Sequence, residues 1–436
     1  MTDTFSINLT NLLPFDLTIS EIDHSLVLSK GVMSGKISFD SLKLDLERNF
    51  DIVTNSIQLK QLNNKNILLY YNSTKTIDQT DIEYLLQEIV ATELPYNLTN
   101  TSTKKPLNYI SKDLFGIPLI GSFYFGVIDR GTNVLQIRSI TGCPLNCPFC
   151  SVDEGPVSKT KTRDFIVDTD YLVETYDFVI KQKELENAEA HLDGQGEPMA
   201  YPYLVELVQK LNENPSTNIV SIQTNGWFLT EQLIDELAEV GLNRINLSLN
   251  SIDLSLGKKM AGRGDYNHKH ILELAEYIAQ SKISLLIAPL WIPGVNDDEI
   301  EKIIAFTKQI NSHESKFPIL GIQNYLVHNE GRNMKDVKPQ QFRVFYKKLR
   351  EFEDKLAVKN LVLKQEMFHT KKAKMLSNPM KMNAIVLAEI VSHGRLANEI
   401  ICKANDRLIH VSGVMDYSIG RKIKVRIIRN RHNIFF

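Results

Sequence analysis

The stretch GCPLNCPFCSV, residues 142–152, contains three of the four cysteines in the chain. Cys143, Cys147 and Cys150 are separated by three residues and then by two, whereas Cys402 lies far away in the sequence. A disulfide framework is built from paired, dispersed cysteines in an exported protein. Because these three thiols are clustered, the pattern predicts a metal site.

The number of clustered thiols bears on which metal they hold. A structural zinc ion takes four protein ligands, commonly from two Cys or His pairs, and the motif has no second pair. Iron–sulfur clusters use thiolates at such short spacings, and three ligands leave one iron of a four-iron cluster open to a substrate or cofactor. The pattern therefore favours a 4Fe-4S cluster, with a zinc knuckle completed by a distant His or Asp as the alternative.

Composition indicates an ordinary globular protein. The chain has 436 residues, of which 43% are hydrophobic and 23% charged, enough for a large core and two or three domains. The opening residues, MTDTFSINLTNLLPF, show no basic flank leading into an apolar core, and no stretch is apolar for long enough to span a bilayer. We therefore expect a cytoplasmic protein with no membrane partner.

From about residue 134, short apolar runs alternate with helical patterns, which predicts repeated strand–helix units and a parallel sheet. Thr230 and Asn296 are predicted helix caps, the latter in a capping box with Glu299. The six strand candidates are residues 134–140, 188–192, 220–223, 244–249, 284–290 and 319–325. The fold class expected for this part of the chain is α/β.

The flanking regions differ from this core in pattern. Residues 1–125 mix strand and helix signals, and we assign them to an N-terminal α+β region of unknown role. Residues 336–375 form a charged helical linker, and residues 378–436 are β-rich. In GRKIKVRII, apolar and basic residues alternate, which predicts a half-buried strand. Residues 381–436 carry ten Lys or Arg against four Asp or Glu, although the whole chain has a net charge of -2.

The cysteine motif resembles that of the radical S-adenosylmethionine (SAM) superfamily, written CxxxCxΦC, where Φ is an aromatic residue. The motif follows the first strand candidate, as it does in that superfamily. The resemblance covers roughly residues 130–335 and implies a partial (β/α)6 TIM-like barrel. It also implies that Cys143, Cys147 and Cys150 bind a 4Fe-4S cluster, whose open iron is chelated by the methionine part of SAM.

Later segments resemble the SAM-binding segments of the same superfamily. They fall after successive strand candidates, where a parallel barrel presents its active face. GQGEP is similar to a segment that meets the methionine amino group, QTNG to one near the methionine tail, and SLNS to one that contacts ribose or carboxylate. The residues that the resemblance assigns to SAM are Phe149 beside adenine, then Gly194, Gly196, Glu197, Thr224, Asn225, Ser248 and Asn250.

The resemblance implies a radical mechanism. A reduced cluster donates one electron to SAM, and the resulting 5'-deoxyadenosyl radical abstracts hydrogen from the substrate. The cofactors carry the difficult chemistry, while the protein supplies orientation and a shielded cavity. Such an enzyme also needs an electron donor, for example a ferredoxin or flavodoxin.

The substrate is suggested by the C-terminal region. Residues 378–436 resemble a TRAM domain, the small β-barrel that delivers RNA in tRNA methylthiotransferases, through the Gly394-Arg395 step and the basic strand. This implies an RNA substrate such as tRNA, contacted by Arg395, Lys422, Lys424 and Arg426. Methylthiotransferases carry three more cysteines in the N-terminal region, and residues 1–125 contain none. We therefore expect no sulfur insertion by that route.

Two other functions are compatible with the same motifs. The first is a radical SAM enzyme that acts on a protein, peptide or small metabolite, with the C-terminal region as a docking module. The second is a non-enzymatic metal-binding or sensing protein, which would bind iron without producing 5'-deoxyadenosine.

Overall fold

The structure is a computed structural model that describes residues 2–10, 12–13, 15–63, 66–113, 116–310, 316–413 and 417–436. The chain divides into two compact units, Met1–Tyr109 and Ile110–Phe436. The boundary precedes the one expected near residue 125. Residues after Tyr109 belong to the second unit because, for example, the Leu119 carbonyl accepts a hydrogen bond from the Val127 N–H at 2.9 Å.

The first unit combines antiparallel strands with two helices. Strands β1, β6 and β5 form one sheet, and β2, β3, β4, β7 and β8 pair successively in a second. Ser38 and Asp78 cap the helices by accepting backbone N–H groups. The elements are β1 (Asp3–Asn8), β2 (Asp16–Ser20), β3 (Ser25–Lys30), β4 (Met33–Ser38), α1 (Phe39–Asn49), β5 (Gln58–Asn63), β6 (Asn66–Ser73), α2 (Gln79–Glu93), β7 (Thr99–Asn100) and β8 (Lys105–Ile110).

The second unit begins with strands that alternate with helices. Its elements are β9 (Gly126–Asp129), β10 (Val134–Arg138), β11 (Asp164–Val167), α3 (Thr169–Lys183), β12 (Ala188–Leu192), α4 (Leu204–Glu213), β13 (Thr217–Thr224), α5 (Glu231–Glu239), β14 (Arg244–Leu247), α6 (Leu254–Ala261), α7 (His268–Gln280), β15 (Ser284–Ile287), β16 (Leu290–Trp291), α8 (Asp297–Ile310), β17 (Gln323–Asn324) and α9 (Phe342–Leu356). This arrangement is a mixed α/β fold, as the alternation in the sequence predicts.

The central sheet of this unit has the order β15-β14-β13-β12-β10-β9. Strands β10, β12, β13, β14 and β15 are parallel, and β9 pairs with β10 antiparallel. The parallel series continues in β16 and β17 and in a bridge from Ile287 to Leu320. All six predicted strands have a counterpart. Strand β9, whose four residues are all buried, is not among the predicted strands.

The helices pack the faces that their periodicity predicts. In α4, Leu204, Leu207, Val208 and Leu211 are buried. The Thr230 side chain caps α5 by accepting the Leu233 N–H at 3.1 Å. The buried side chains of α4 cover the parallel sheet with an apolar face.

The predicted capping box at α8 is wrong. The Asn296 Oδ1 accepts the Ile292 N–H at 2.8 Å, and its amide donates to backbone carbonyls of Asn250 and Leu290. Glu299 accepts instead from Ser251 and from the N–H groups of Ile252 and Asp253. Both side chains therefore stabilise loops that follow β14 and β15, which a local sequence pattern does not show.

The chain ends in a four-stranded antiparallel sheet of order β20-β19-β18-β21. Its strands are β18 (Ile385–His393), β19 (Glu399–Ala404), β20 (Arg407–Ser412) and β21 (Lys422–Arg426). Cys402 is fully buried in the apolar core of this sheet. On β21, Val425 is buried while Lys422, Lys424 and Arg426 are exposed, which confirms the predicted alternation.

Across the part of the chain that the structure describes, none of the helices has the length and apolar character that crossing a membrane requires.

Candidate metal and cofactor site

The three clustered cysteines lie in the loop after β10 and line a cavity of about 510 Å³. The Leu145 N–H donates to the Cys143 sulfur at 3.4 Å, and the Glu154 N–H donates to the Cys150 sulfur at 3.3 Å. Backbone donors of this kind stabilise thiolates, the form in which cysteine binds iron. The donor set therefore fits an iron–sulfur cluster.

Each cysteine of the motif would bind a separate iron atom. Among the described residues, no three Cys, His, Asp or Glu side chains are close enough to ligate one metal ion. A 4Fe-4S cluster does not need such convergence, because each thiolate binds a different iron. Cys402 does not join the group, since it is buried in the C-terminal sheet.

Burial affects the protonation of these thiols. It raises the pKa of Cys143 well above the ordinary range and that of Cys147 to about 12. Bound iron would favour the thiolate form, because the positive charge of the metal stabilises the deprotonated sulfur.

Glycine brings a second loop against the cysteine motif. Gly196 follows β12 with φ +156°, and a Cβ atom there would lie 2.2 Å from the Gly142 carbonyl oxygen. Gly142 donates to the Gln195 carbonyl at 3.2 Å and accepts from the Glu197 N–H at 2.9 Å. Only glycine permits this approach. The close contact places the loop after β12 on the wall of the cavity.

The structure brings most of the predicted SAM-binding residues to the same cavity. They follow the carboxyl ends of β10, β12, β13 and β14, which parallel strands present at one edge of a sheet. Ser248 accepts a hydrogen bond from Gln223 at 2.8 Å, and Asn250 accepts one from the Leu290 N–H at 2.8 Å. The predicted residues on the cavity wall are Phe149, Gly194, Gly196, Asn225, Ser248 and Asn250.

Glu197 and Thr224 are not among the residues that line the cavity, and their contact with SAM stays a prediction. Glu197 is 2% exposed, and its carboxylate accepts from the Thr224 hydroxyl at 2.7 Å and the Asn225 N–H at 2.8 Å. Burial raises its pKa to about 7. Asn225 in turn donates through its side chain to the Cys143 sulfur at 3.4 Å. Glu197 therefore positions Asn225 from behind the cavity wall.

Several cavity residues were not identified from the sequence. Gln223 lies at the end of β13, and Tyr266 and His268 come from the segment between α6 and the start of α7. The Tyr266 hydroxyl donates to the Asn225 carbonyl at 2.8 Å. The position of Gln223 beside TNG is a usable sequence signal, whereas the segment that holds Tyr266 has no motif.

Arg395 was predicted to contact RNA, and the structure contradicts this. The residue is fully buried, and its Nη2 lies 2.7 Å from both Glu154 and Asp164 carboxylate oxygens. Burial alone would lower the pKa of this guanidinium, but the two carboxylates outweigh it and raise the pKa. Arg395 also donates to the Gln195 carbonyl at 3.0 Å. Its donors are thus directed into the protein and away from solvent.

The three basic residues of β21 occupy a different place. Lys422, Lys424 and Arg426 are exposed on one face of the strand and are not part of the cavity wall. Their exposure leaves their charges accessible to a large anionic partner.

Comparison with known proteins agrees with the geometry. Residues 137–307 match the radical SAM superfamily. The chain is 42% identical over 372 residues to the uncharacterized protein MJ0103 of Methanocaldococcus jannaschii, covering 81% of this chain and 85% of that protein. The chain belongs to the radical SAM superfamily. It is a radical SAM enzyme, and its cofactors are a 4Fe-4S cluster and SAM.

Other similarities are partial. GTP 3',8-cyclase of Listeria monocytogenes is 31% identical over 185 residues, covering 41% of this chain and 51% of the cyclase. GTP 3',8-cyclase of Chlorobaculum tepidum is 28% identical over 180 residues, covering 41% of this chain and 51% of the cyclase. The chain thus spans about half the length of these cyclases. A solved structure of TYW1 with a lysine-pyruvate adduct is 22% identical, with a TM-score of 0.37 and coverage of 53% and 76%.

Proposed function

We propose that this enzyme binds its cluster and SAM in the 510 Å³ cavity and modifies RNA, with tRNA as the candidate, by hydrogen abstraction. The observation that supports this proposal is the convergence of three cysteine sulfurs with loops from three parallel strands on one cavity. When bound, the cofactors supply reductive cleavage of SAM and a radical able to remove hydrogen. The protein's part is to hold, orient and shield them.

Different residues of the cavity would bind the cluster and the parts of SAM. Cys143, Cys147 and Cys150 would each hold one iron. The backbone at Gly194 and Gly196 lies open to a ligand because neither residue has a side chain. Asn225, Ser248 and Asn250 carry amide and hydroxyl groups suited to the carboxylate and ribose of SAM. Phe149 would provide an apolar wall for adenine, since it packs beside Met260, Ile292 and Tyr325.

The proposal includes two architectural elements. The parallel strands β10, β12, β13, β14, β15, β16 and β17 would form the partial (β/α)6 barrel of the superfamily, with the cavity at the carboxyl ends of its strands. The C-terminal four-stranded sheet would be a TRAM-like β-barrel. Its antiparallel strands and apolar core support this assignment.

The exposed basic face of β21 supports RNA as the substrate. Lys422, Lys424 and Arg426 project from alternate positions of one strand, a spacing that suits successive phosphates. An electron donor such as a ferredoxin or flavodoxin would reduce the cluster in the cytoplasm.

A free small molecule is the second candidate substrate class, with a protein or peptide as a further alternative within the same chemistry. The observation that favours a small molecule is the similarity to GTP 3',8-cyclases, whose name specifies action on a nucleotide. A non-enzymatic metal-binding role is set aside, because the chain is a radical SAM enzyme.

Two experiments test the proposal. The anaerobically reconstituted protein, reduced with dithionite and given SAM, should release 5'-deoxyadenosine. Mass spectrometry of RNA nucleosides, tryptic peptides and metabolites from cells with and without the gene should then reveal a modified nucleoside. A difference confined to peptides or metabolites would overturn the RNA assignment and leave the radical chemistry standing.

A further inference from the structure

A second cavity of about 440 Å³ adjoins the cofactor cavity. The two share Ser151, Val152 and His328 as wall residues, and the first two directly follow the cysteine motif. A molecule in the second cavity could therefore extend past this shared wall toward the cofactors.

Three arginines line the second cavity. Arg138 is 6% exposed, and its Nε lies 3.0 Å from an oxygen of Asp193. The Nε of Arg130 donates to Gln136 at 2.5 Å, and the Arg429 guanidinium lies 5.3 Å from the centre of the Phe436 ring. Among the described residues, neither Arg130 nor Arg429 forms an ion pair with a carboxylate. Two positioned guanidinium groups thus lack an acidic partner.

The charges in this cavity are unbalanced. Glu330 carries the one side-chain carboxylate among the described wall residues, against the guanidinium groups of Arg130, Arg138 and Arg429, of which Arg138 is paired with Asp193. Partial burial and the positive charge of Arg138 lower the pKa of Arg130, Asp193 opposes them, and Arg429 and Arg431 lower it further. An anion bound here would relieve this repulsion and accept hydrogen bonds in the bidentate geometry that guanidinium favours.

Gln195 supplies a further polar group. It is 8% exposed and lines the second cavity, whereas its neighbours Gly194 and Gly196 line the first. Its side-chain Oε1 has no hydrogen-bond partner among the described residues. Its backbone carbonyl is fixed by Arg395 at 3.0 Å. Buried amides normally find partners, so this acceptor is suited to a donor on a ligand.

We propose that the second cavity binds the phosphate of a nucleotide substrate, with Arg130 and Arg429 on the phosphate and Gln195 accepting from a sugar or base donor. Arg138, held by Asp193, adds a fixed positive charge at the same wall. The remainder of the nucleotide extends past Ser151 into the cofactor cavity, and this part rests on the proposed function. The same phosphate chemistry is offered by a free nucleoside monophosphate and by a nucleotide within an RNA strand.

Calorimetry on the reconstituted holoprotein with SAM tests this site. The ligands are the four 5'-nucleoside monophosphates, the four nucleosides, and a single-stranded RNA containing all four bases. We expect at least one monophosphate or the RNA to bind, and the matching nucleoside to bind at least tenfold more weakly. Monophosphate binding identifies a free nucleotide as the source, and binding of RNA alone identifies a nucleotide within a strand.

Variants connect the binding to the arginines. Arg130→Gln with Arg429→Gln should weaken binding by about tenfold or more, because charge-assisted hydrogen bonds are lost. Arg130→Lys with Arg429→Lys keeps both positive charges but lacks the planar guanidinium group. This variant should therefore lose less affinity than the Gln variant. Both arginines are exposed, and thermal unfolding checks that the fold is retained. Arg350→Gln, an exposed arginine on α9, is the matched control and should change nothing.

The outcomes separate this site from the proposed function. Binding measured by calorimetry does not depend on SAM cleavage. If the wild-type protein makes no 5'-deoxyadenosine, the proposed function is refuted and the phosphate site is not affected. Three results overturn the phosphate site: no binding of any phosphate ligand, equal binding of nucleosides, or unchanged affinity in the Gln double variant.

Discussion

Arg395 and Glu154 form a buried bidentate ion pair that joins the C-terminal sheet to the cysteine loop. Nη2 of Arg395 lies 2.7 Å from Oε2 of Glu154, and Nη1 contacts Oε1. Glu154 lines the cofactor cavity, and its N–H donates to the Cys150 sulfur. The C-terminal sheet is therefore linked to the geometry of the metal site through one guanidinium.

Arg395→Met should destabilise the protein strongly. The change removes the guanidinium that pairs with the buried carboxylates of Glu154 and Asp164, which costs about 3–5 kcal/mol. Urea unfolding of the apoprotein measures this loss, and iron retained after reconstitution should also fall. The control, Arg426→Met on the exposed face of β21, should stay within about 0.5 kcal/mol of wild type. A loss below about 1 kcal/mol for Arg395→Met would contradict the role of this pair.

Each of Cys143→Ala, Cys147→Ala and Cys150→Ala should abolish stable cluster binding and SAM cleavage. Wild type should hold about four iron atoms per chain, as one 4Fe-4S cluster requires. Iron analysis, visible absorption and 5'-deoxyadenosine assays provide the measurements. Cys402→Ala is the matched control and should retain both properties, because Cys402 lies in the core of the C-terminal sheet. Cluster loss in that control, or zinc in place of iron, would refute the assignment.

Glu197→Gln should weaken SAM binding more than it lowers iron content. The carboxylate accepts from Thr224, Met199 and Asn225, and an amide must turn its NH2 group toward one of these donors. Losing a hydrogen bond to a charged group costs about 1.5–3 kcal/mol, or roughly ten- to a hundredfold in affinity if Asn225 binds SAM. Equilibrium SAM binding to iron-replete protein gives the answer, with the exposed Glu206→Gln as control. An unchanged dissociation constant would exclude this positioning role.

Glu299 should make stability depend on pH in the acid range. Its buried carboxylate accepts from Lys302, Ser251 and the N–H groups of Ile252 and Asp253, which outweigh burial and lower its pKa from 4.5 to about 2. A pKa lowered by folding adds stability above the unfolded value, and this stability is lost as pH falls from 4.5 toward 2.

Glu299→Gln should therefore be less stable than wild type at neutral pH, and its stability should fall less steeply between about pH 5 and pH 3. Urea unfolding across that range tests the difference in slope. Parallel curves for the two proteins would show that Glu299 is not responsible.

Replacing Lys422, Lys424 and Arg426 together by Ala should weaken RNA binding without unfolding the sheet. Val425 and Ile427 still supply the buried face. If all three residues contact phosphates, the slope of log affinity against log salt should fall by about 2, at about 0.7 per contact with single strands. A salt series of RNA titrations measures it. The control replaces Arg343, Lys347 and Arg350, three exposed basic residues on α9, by Ala. An unchanged slope would remove this face from RNA recognition.

Local sequence patterns predicted the parts of the molecule that local forces shape. The spacing of Cys143, Cys147 and Cys150 indicated the metal site, and residue alternation indicated β21. Apolar periodicity located α4 and the parallel strands, because backbone geometry repeats every few residues and the buried face must repeat with it. Strand order along the chain also indicated that the loops after β12, β13 and β14 would meet at one edge.

The contacts of Arg395 and Glu197 depend on segments far apart in the chain. Arg395 appeared as a basic residue of an RNA-binding region, and only the fold placed Glu154 and Asp164 around it. The resemblance assigns Glu197 to SAM, and only the fold shows that its oxygens also accept hydrogen bonds from Thr224 and Asn225. Burial and charge pairing arise from three-dimensional neighbours, and a charged side chain looks the same in sequence whether it faces solvent or a buried partner.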